Sequence, residues 1–141
     1  MKEQETMDTK QKFLFELHNI IKERSKIGNR ISNPPQNAIW EEFNLTDAEL
    51  SALKAQPFTP ESISAIEKIV RDTMMNAFFE AFCIVDGVGD PHESLLEQEE
   101  VWLGLKLTEV TTNEEEVEVS EFLHDEFFST YQDWKEWQNK K

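Results

Sequence analysis

The sequence predicts an α+β fold that is predominantly helical: helices gathered around a long central one, with a small antiparallel β-hairpin on one side. Three observations carry that reading. Residues 60–85 keep helical periodicity without a break, residues 101–108 switch to strict alternation, and residues 120–138 return to a helical stripe. The chain has 141 residues, enough for one ordinary domain that closes a core without a disulfide or a metal. We expect residues 1–7 to be disordered and residues 8–141 to form a single globular domain.

From about Asp8 to Ile27, Phe13, Leu14, Leu17, Ile20, Ile21 and Ile27 recur at intervals of three and four, as on a one-sided helix. Gly28-Asn29 reads as its C-terminal cap. Pro34-Pro35 in the next segment fixes the backbone and removes two donors, so Ser32–Asn37 is a loop. Ala38–Phe43 suits a short helix carrying Trp40. Thr46, with Glu49 three residues on, is a capping box that opens a helix to about Ala55, with Leu50 and Leu53 turned inward.

Thr59-Pro60-Glu61 starts the central helix with a capping hydroxyl, a proline at the first helical position and an acid in the first turn. Ile63, Ile66, Val70, Met74 and Ala77 share one stripe. Past Met75 the opposite side also fills, with Phe79, Phe82 and Cys83, as in a helix passing inward. Asp72, Asn76 and Glu80 trace its solvent strip. Asp86-Gly87-Val88-Gly89-Asp90-Pro91 ends it. A helical turn around Ser94–Gln98 fits the next residues. Val101, Leu103, Leu105 and Leu107 then alternate with other types as in a strand, and residues 115–119 read as the returning one. On the last helix Leu123, Phe127, Tyr131, Trp134 and Trp137 make one broad stripe with Phe128 at its edge.

Charge is the strongest compositional fact. There are 29 acids against 14 Lys and Arg, a net of −15, and residues 86–126 alone hold 14 acids and one base, Lys106. Such a field repels nucleic acid and anionic lipid, and attracts basic proteins and divalent cations. The one cysteine, Cys83, excludes an internal disulfide and fits a reducing, cytoplasmic setting. No stretch is long and apolar enough for a membrane span, and the N-terminus does not resemble a signal peptide. No partner at a membrane or on nucleic acid is expected.

Candidate chemistry is sparse. The loop from Asp86 to Glu93 sets Asp86, Asp90, His92 and Glu93 within eight residues, a donor set that a divalent cation could use, although its spacing is not that of a calcium loop. A solvated, capped turn is the simpler reading. His124, on the last helix, reads better as core-edge packing than as a second ligand beside His92, and His18 likewise. Cys83 lies near a helix C-terminus, which disfavours a thiolate, and no nucleophile motif is present, so no cofactor and no catalysis are expected.

The remaining feature is an aromatic rim among acids on the last helix: Phe128, Trp134 and Trp137 with Glu121 and Asp125, a composition suited to a basic protein partner. The chain resembles small bacterial immunity proteins and antitoxins in composition, though in no motif. The first expectation is therefore a small acidic, non-enzymatic binding or regulatory protein that engages a basic partner. The alternatives are a metal-binding protein or metal-dependent enzyme using the 86–93 loop, and an accessory domain that homodimerises through its aromatic helix.

Overall fold

A computed structural model describes residues 6–118 and 122–140. The fold is α+β and predominantly helical, with a long helix from Pro60 to Val85, one two-stranded antiparallel hairpin and a C-terminal helix. In order the elements are α1 (Thr9–Arg24), α2 (Gly28–Ser32), a 3-10 turn (Glu41–Phe43), α3 (Asp47–Lys54), α4 (Pro60–Val85), a second 3-10 turn (Glu93–Leu95), β1 (Thr108–Val110), β2 (Glu116–Glu118) and α5 (Leu123–Asn139). The chain divides into two compact units. The larger comprises residues 1–20 and 75–141, the smaller residues 21–74.

In the larger unit the apolar positions of α1, the end of α4 and α5 form an aromatic-rich core. Leu14, Phe15, Leu17, Phe82, Leu123, Phe127 and Trp134 are buried. Phe127 is the hub, with ring centroids 5.4 Å from Phe82, 6.1 Å from Phe78 and 4.8 Å from His18, whose ring lies nearly parallel to it. Each buried aromatic removes about 150–250 Å² from water, about 4–6 kcal/mol before entropy is counted. Two polar groups inside find partners. Trp134 donates its indole N–H to Asn19 Oδ1 (2.8 Å). His18 Nε2 faces the Phe127 carbonyl at 3.0 Å, and because a carbonyl only accepts, Nε2 carries the proton. His18 is thus a core residue. Asp72, Asn76 and Glu80 on α4 are exposed, as a solvent strip requires.

The smaller unit is built differently. Ile21, Ser25 and Pro34 are its buried residues, and α3 has none. The capping box forms as the spacing predicts: Thr46 Oγ1 accepts the Glu49 N–H (3.1 Å) and the Glu49 carboxylate accepts the Thr46 N–H (2.9 Å). The Thr46 backbone N–H, and after it the Thr46 hydroxyl, hold the Glu49 carboxyl below the usual carboxylate range. Leu50 and Leu53 are only half-buried.

Three local expectations change. First, α1 ends at Arg24, and Gly28 opens α2 instead of capping α1. A Cβ at residue 28 would lie 2.8 Å from the Ile63 side chain, so close approach to α4 is what requires glycine there. Second, residues 38–43 form only the 3-10 turn, with Trp40 extended before it. Third, residues 101–107 are not a strand; pairing begins at Thr108, opposite Glu118.

The reason is that this segment's polar groups are engaged at the end of α4. Leu105 donates its backbone N–H to Val85 O (2.7 Å) and Trp102 its indole N–H to Ile84 O (2.8 Å). Gly87 and Gly104, both with positive φ, allow this approach: a Cβ on Gly104 would lie 2.6 Å from Val85 O, and one on Gly87 2.6 Å from Leu103 O. The alternation of 101–107 therefore marks an extended segment docked by Trp102, while Val101, Leu103 and Leu105 stay exposed.

Candidate functional site

The residues expected at a metal loop do not converge. Asp86, only 6% exposed, is engaged with His124: its Oδ2 accepts the His124 backbone N–H (2.8 Å) and the His124 Nδ1–H (2.5 Å). This carboxylate caps α5, because the residue at the helix entrance, Phe122, has left-handed backbone and offers no side-chain cap. His92 Nδ1 accepts the Ser94 N–H (3.1 Å) and faces the Ser94 hydroxyl (2.7 Å), so its lone pair is already taken. Asp90 and Glu93 are exposed. Among the described residues no three His, Cys, Asp or Glu side chains are placed to hold a metal ion. The 86–93 loop is a capping turn in this geometry, and the pairing of His92 with His124 gives way to that of Asp86 with His124.

The aromatic rim is also reordered. Trp134 is 1% exposed, one of the most buried side chains described, so it is a core residue and unavailable to a partner. Trp137 is half-buried, its ring 5.7 Å from Phe15. Phe128 is partly exposed and packs its ring 4.7 Å from Phe79. Asp125 is exposed, with Oδ1 3.4 Å from His124 Nε2. Glu121 lies outside the described residues. Of that set, Phe128 and Asp125 remain presentable.

Cys83 is a poor nucleophile. Burial pushes its thiol up first, and the carboxylates of Asp86, Asp125 and Glu80 push it further.

The segment between α4 and α5 holds what sequence reading undervalued. Asp90, Glu93, Glu97, Glu99, Glu100, Glu114, Glu115 and Glu116 are exposed, and among the described residues none of them forms an ion pair. Besides Asp86 and Asp125 at His124, the paired acids of residues 86–126 among the described residues are Glu118 with Lys106 (3.1 Å) and Glu126 with Lys10 (2.5 Å). On the same segment Leu95, Val101, Leu103, Leu105 and Val110 are exposed. A cavity of about 370 Å³ opens between the docked 103–107 segment, Val85, Asp86, Glu118 and the start of α5. Its walls are largely leucine and valine, with the Lys106–Glu118 pair at one side, so it suits an aliphatic or aromatic side chain better than a polar substrate. Alternating leucines beside acids are the available signal, and the sequence reading takes them for a strand.

Among the described residues no helix is long and apolar enough to cross a membrane. The chain matches no family model, no curated protein and no solved structure.

Proposed function

We propose that this chain is a non-enzymatic binding module that engages a basic protein through the segment between α4 and α5. One observation carries the reading: eight exposed carboxylates without ion-pair partners among the described residues share that segment with exposed leucines and valines. The division of labour follows from physics. Unpaired acids raise the encounter rate with a cationic surface and reject anionic ones, while apolar contacts and the 370 Å³ cavity supply the contact that survives once charges meet. Clustered glutamates also repel one another, a cost that a cationic partner removes. The compositional likeness to bacterial immunity proteins and antitoxins makes a basic toxin-like protein the first partner to try, in a reducing compartment that suits the one cysteine.

The test uses the full chain as bait in its native cell, followed by calorimetry on the purified pair. We expect affinity to fall steeply from low to high salt, and the Glu97→Gln, Glu99→Gln, Glu100→Gln triple variant to lose both affinity and salt dependence. A partner bound equally at both salt levels, or equally by the variant, contradicts the reading.

A further inference from the structure

The smaller unit carries an exposed apolar cluster remote in sequence from that segment. Ile39 is 89% exposed, Trp40 73% and Phe43 65%. A single apolar side chain on a surface needs no explanation, but three large ones within five residues do. The loop that bears them is closed by its own hydrogen bonds. Leu45 donates its N–H to Gln36 O (2.8 Å), Ala38 donates its N–H to Asn44 Oδ1 (2.7 Å), and Gln36 Nε2 donates to Asp47 Oδ1 (2.7 Å). The 3-10 turn adds the Phe43 N–H to Trp40 O (2.9 Å), and Pro34 at the loop's base is buried. Its backbone is thus fixed while its apolar side chains stay outside. Presenting anchors on an ordered backbone lowers the entropy lost on binding.

Charge selects the occupant. Glu41 and Glu42 sit between Trp40 and Phe43, Asp47 and Glu49 follow, and residues 31–53 contain no lysine or arginine. Two copies meeting through this loop would bring those glutamates together with no cation between them, and an anionic lipid surface would be repelled. A cationic rim around an apolar pocket satisfies both the aromatics and the acids. Trp is also the residue type that most often dominates binding energy when it fills such a pocket.

We propose that the 36–45 loop is an anchor that inserts Ile39, Trp40 and Phe43 into an apolar pocket rimmed by Lys and Arg on a partner protein. This surface is independent of the segment between α4 and α5, and either can fail alone.

The experiment places a photo-crosslinking residue at Ala38 in the full chain, with Ser51 on α3 as control position, and identifies the adduct formed in the native cell. The captured protein is then purified and titrated with four chains: wild type, Trp40→Ser, the Glu41→Lys, Glu42→Lys double variant, and the Glu97, Glu99, Glu100 glutamine triple. We expect Trp40→Ser to weaken binding by about 30-fold or more, with an unchanged melting temperature, and the double lysine variant to weaken it by about tenfold. Several results overturn the anchor: no adduct specific to the loop, equal binding by Trp40→Ser, or a lower melting temperature in that variant, which would place the indole against the protein's own chain. An adduct only with a second copy, or Trp40-dependent sedimentation with phosphatidylcholine vesicles, also overturns it. Loss of binding in the triple variant alone supports the acidic segment and rejects the loop.

Discussion

Two units of one chain solve the problem of surface in opposite ways. Residues 1–20 and 75–141 carry 21 acids against 7 bases, a net of −14, whereas residues 21–74 carry 8 against 7. The charged unit is also the one with the aromatic core. Eight of its described residues are buried, among them Phe15, Phe82, Phe127 and Trp134, against three in the smaller unit. The pairing makes physical sense. Repulsion between exposed carboxylates is worth under about 1 kcal/mol per pair in water, but it accumulates over a one-signed surface. A buried Trp or Phe offsets several such pairs. The smaller unit, with little charge to contain, leaves Ile39, Trp40 and Phe43 outside. Its local hydrogen bonds include the capping box at Thr46.

Predictions that break or sharpen this contrast run from large to small. Trp134→Ala empties the middle of the larger core and should cost about 3–5 kcal/mol in chemical denaturation, whereas Leu53→Ala, at a half-buried site on α3, should cost about 1 kcal/mol. Equal losses would end the distinction. Asp86→Ala removes the cap of α5 and leaves His124 without its carboxylate, at about 1–3 kcal/mol; Asp86→Asn, which keeps an acceptor oxygen, should recover part of it.

Thr46→Ala should cost about 1 kcal/mol, read as faster amide exchange within α3 and little change in α5. The partner group titrates in a defined direction. Because the folded Glu49 carboxyl is held below its unfolded value, its contribution is complete above the unfolded carboxylate range and is lost as pH falls through the folded value. Amide chemical shifts of α3 followed down in pH should show this, and Glu49→Gln should remove most of it. Glu115→Gln, on the exposed hairpin turn, should change stability by less than about 0.5 kcal/mol, so a larger loss would mean that the carboxylate is held by the fold.

What could be read from the residues in advance was whatever their neighbours in sequence decide. The bounds of α4 follow from Thr59-Pro60 at one end and Gly87 at the other, and the capping box at Thr46 depends on a spacing of three. The buried stripe of α5, with Leu123, Phe127 and Trp134, depends on period alone. Misreadings occurred where a tertiary contact outweighed a local pattern. Alternation at 101–107 meets the strand criterion, yet Val85 O takes the Leu105 N–H and two glycines bring the backbones together. Asp86 and His124 are 38 residues apart, and nothing local marks either as the other's partner. Trp134 and Trp40 are chemically alike; one is enclosed and the other presented. Only the fold decides between them.

The cap on α5 carries a consequence for how the molecule assembles. Starting a helix is the slow and unfavourable step, since a whole turn must be ordered before its first bond repays it. In α5 that first turn is entered through left-handed Phe122 and is completed by an oxygen on Asp86, beyond the hairpin. A peptide spanning residues 122–140 alone should therefore fray at its front end. During synthesis, the end of α4 leaves the ribosome first and waits as a template, so the last helix of the chain is finished by a residue made well before it.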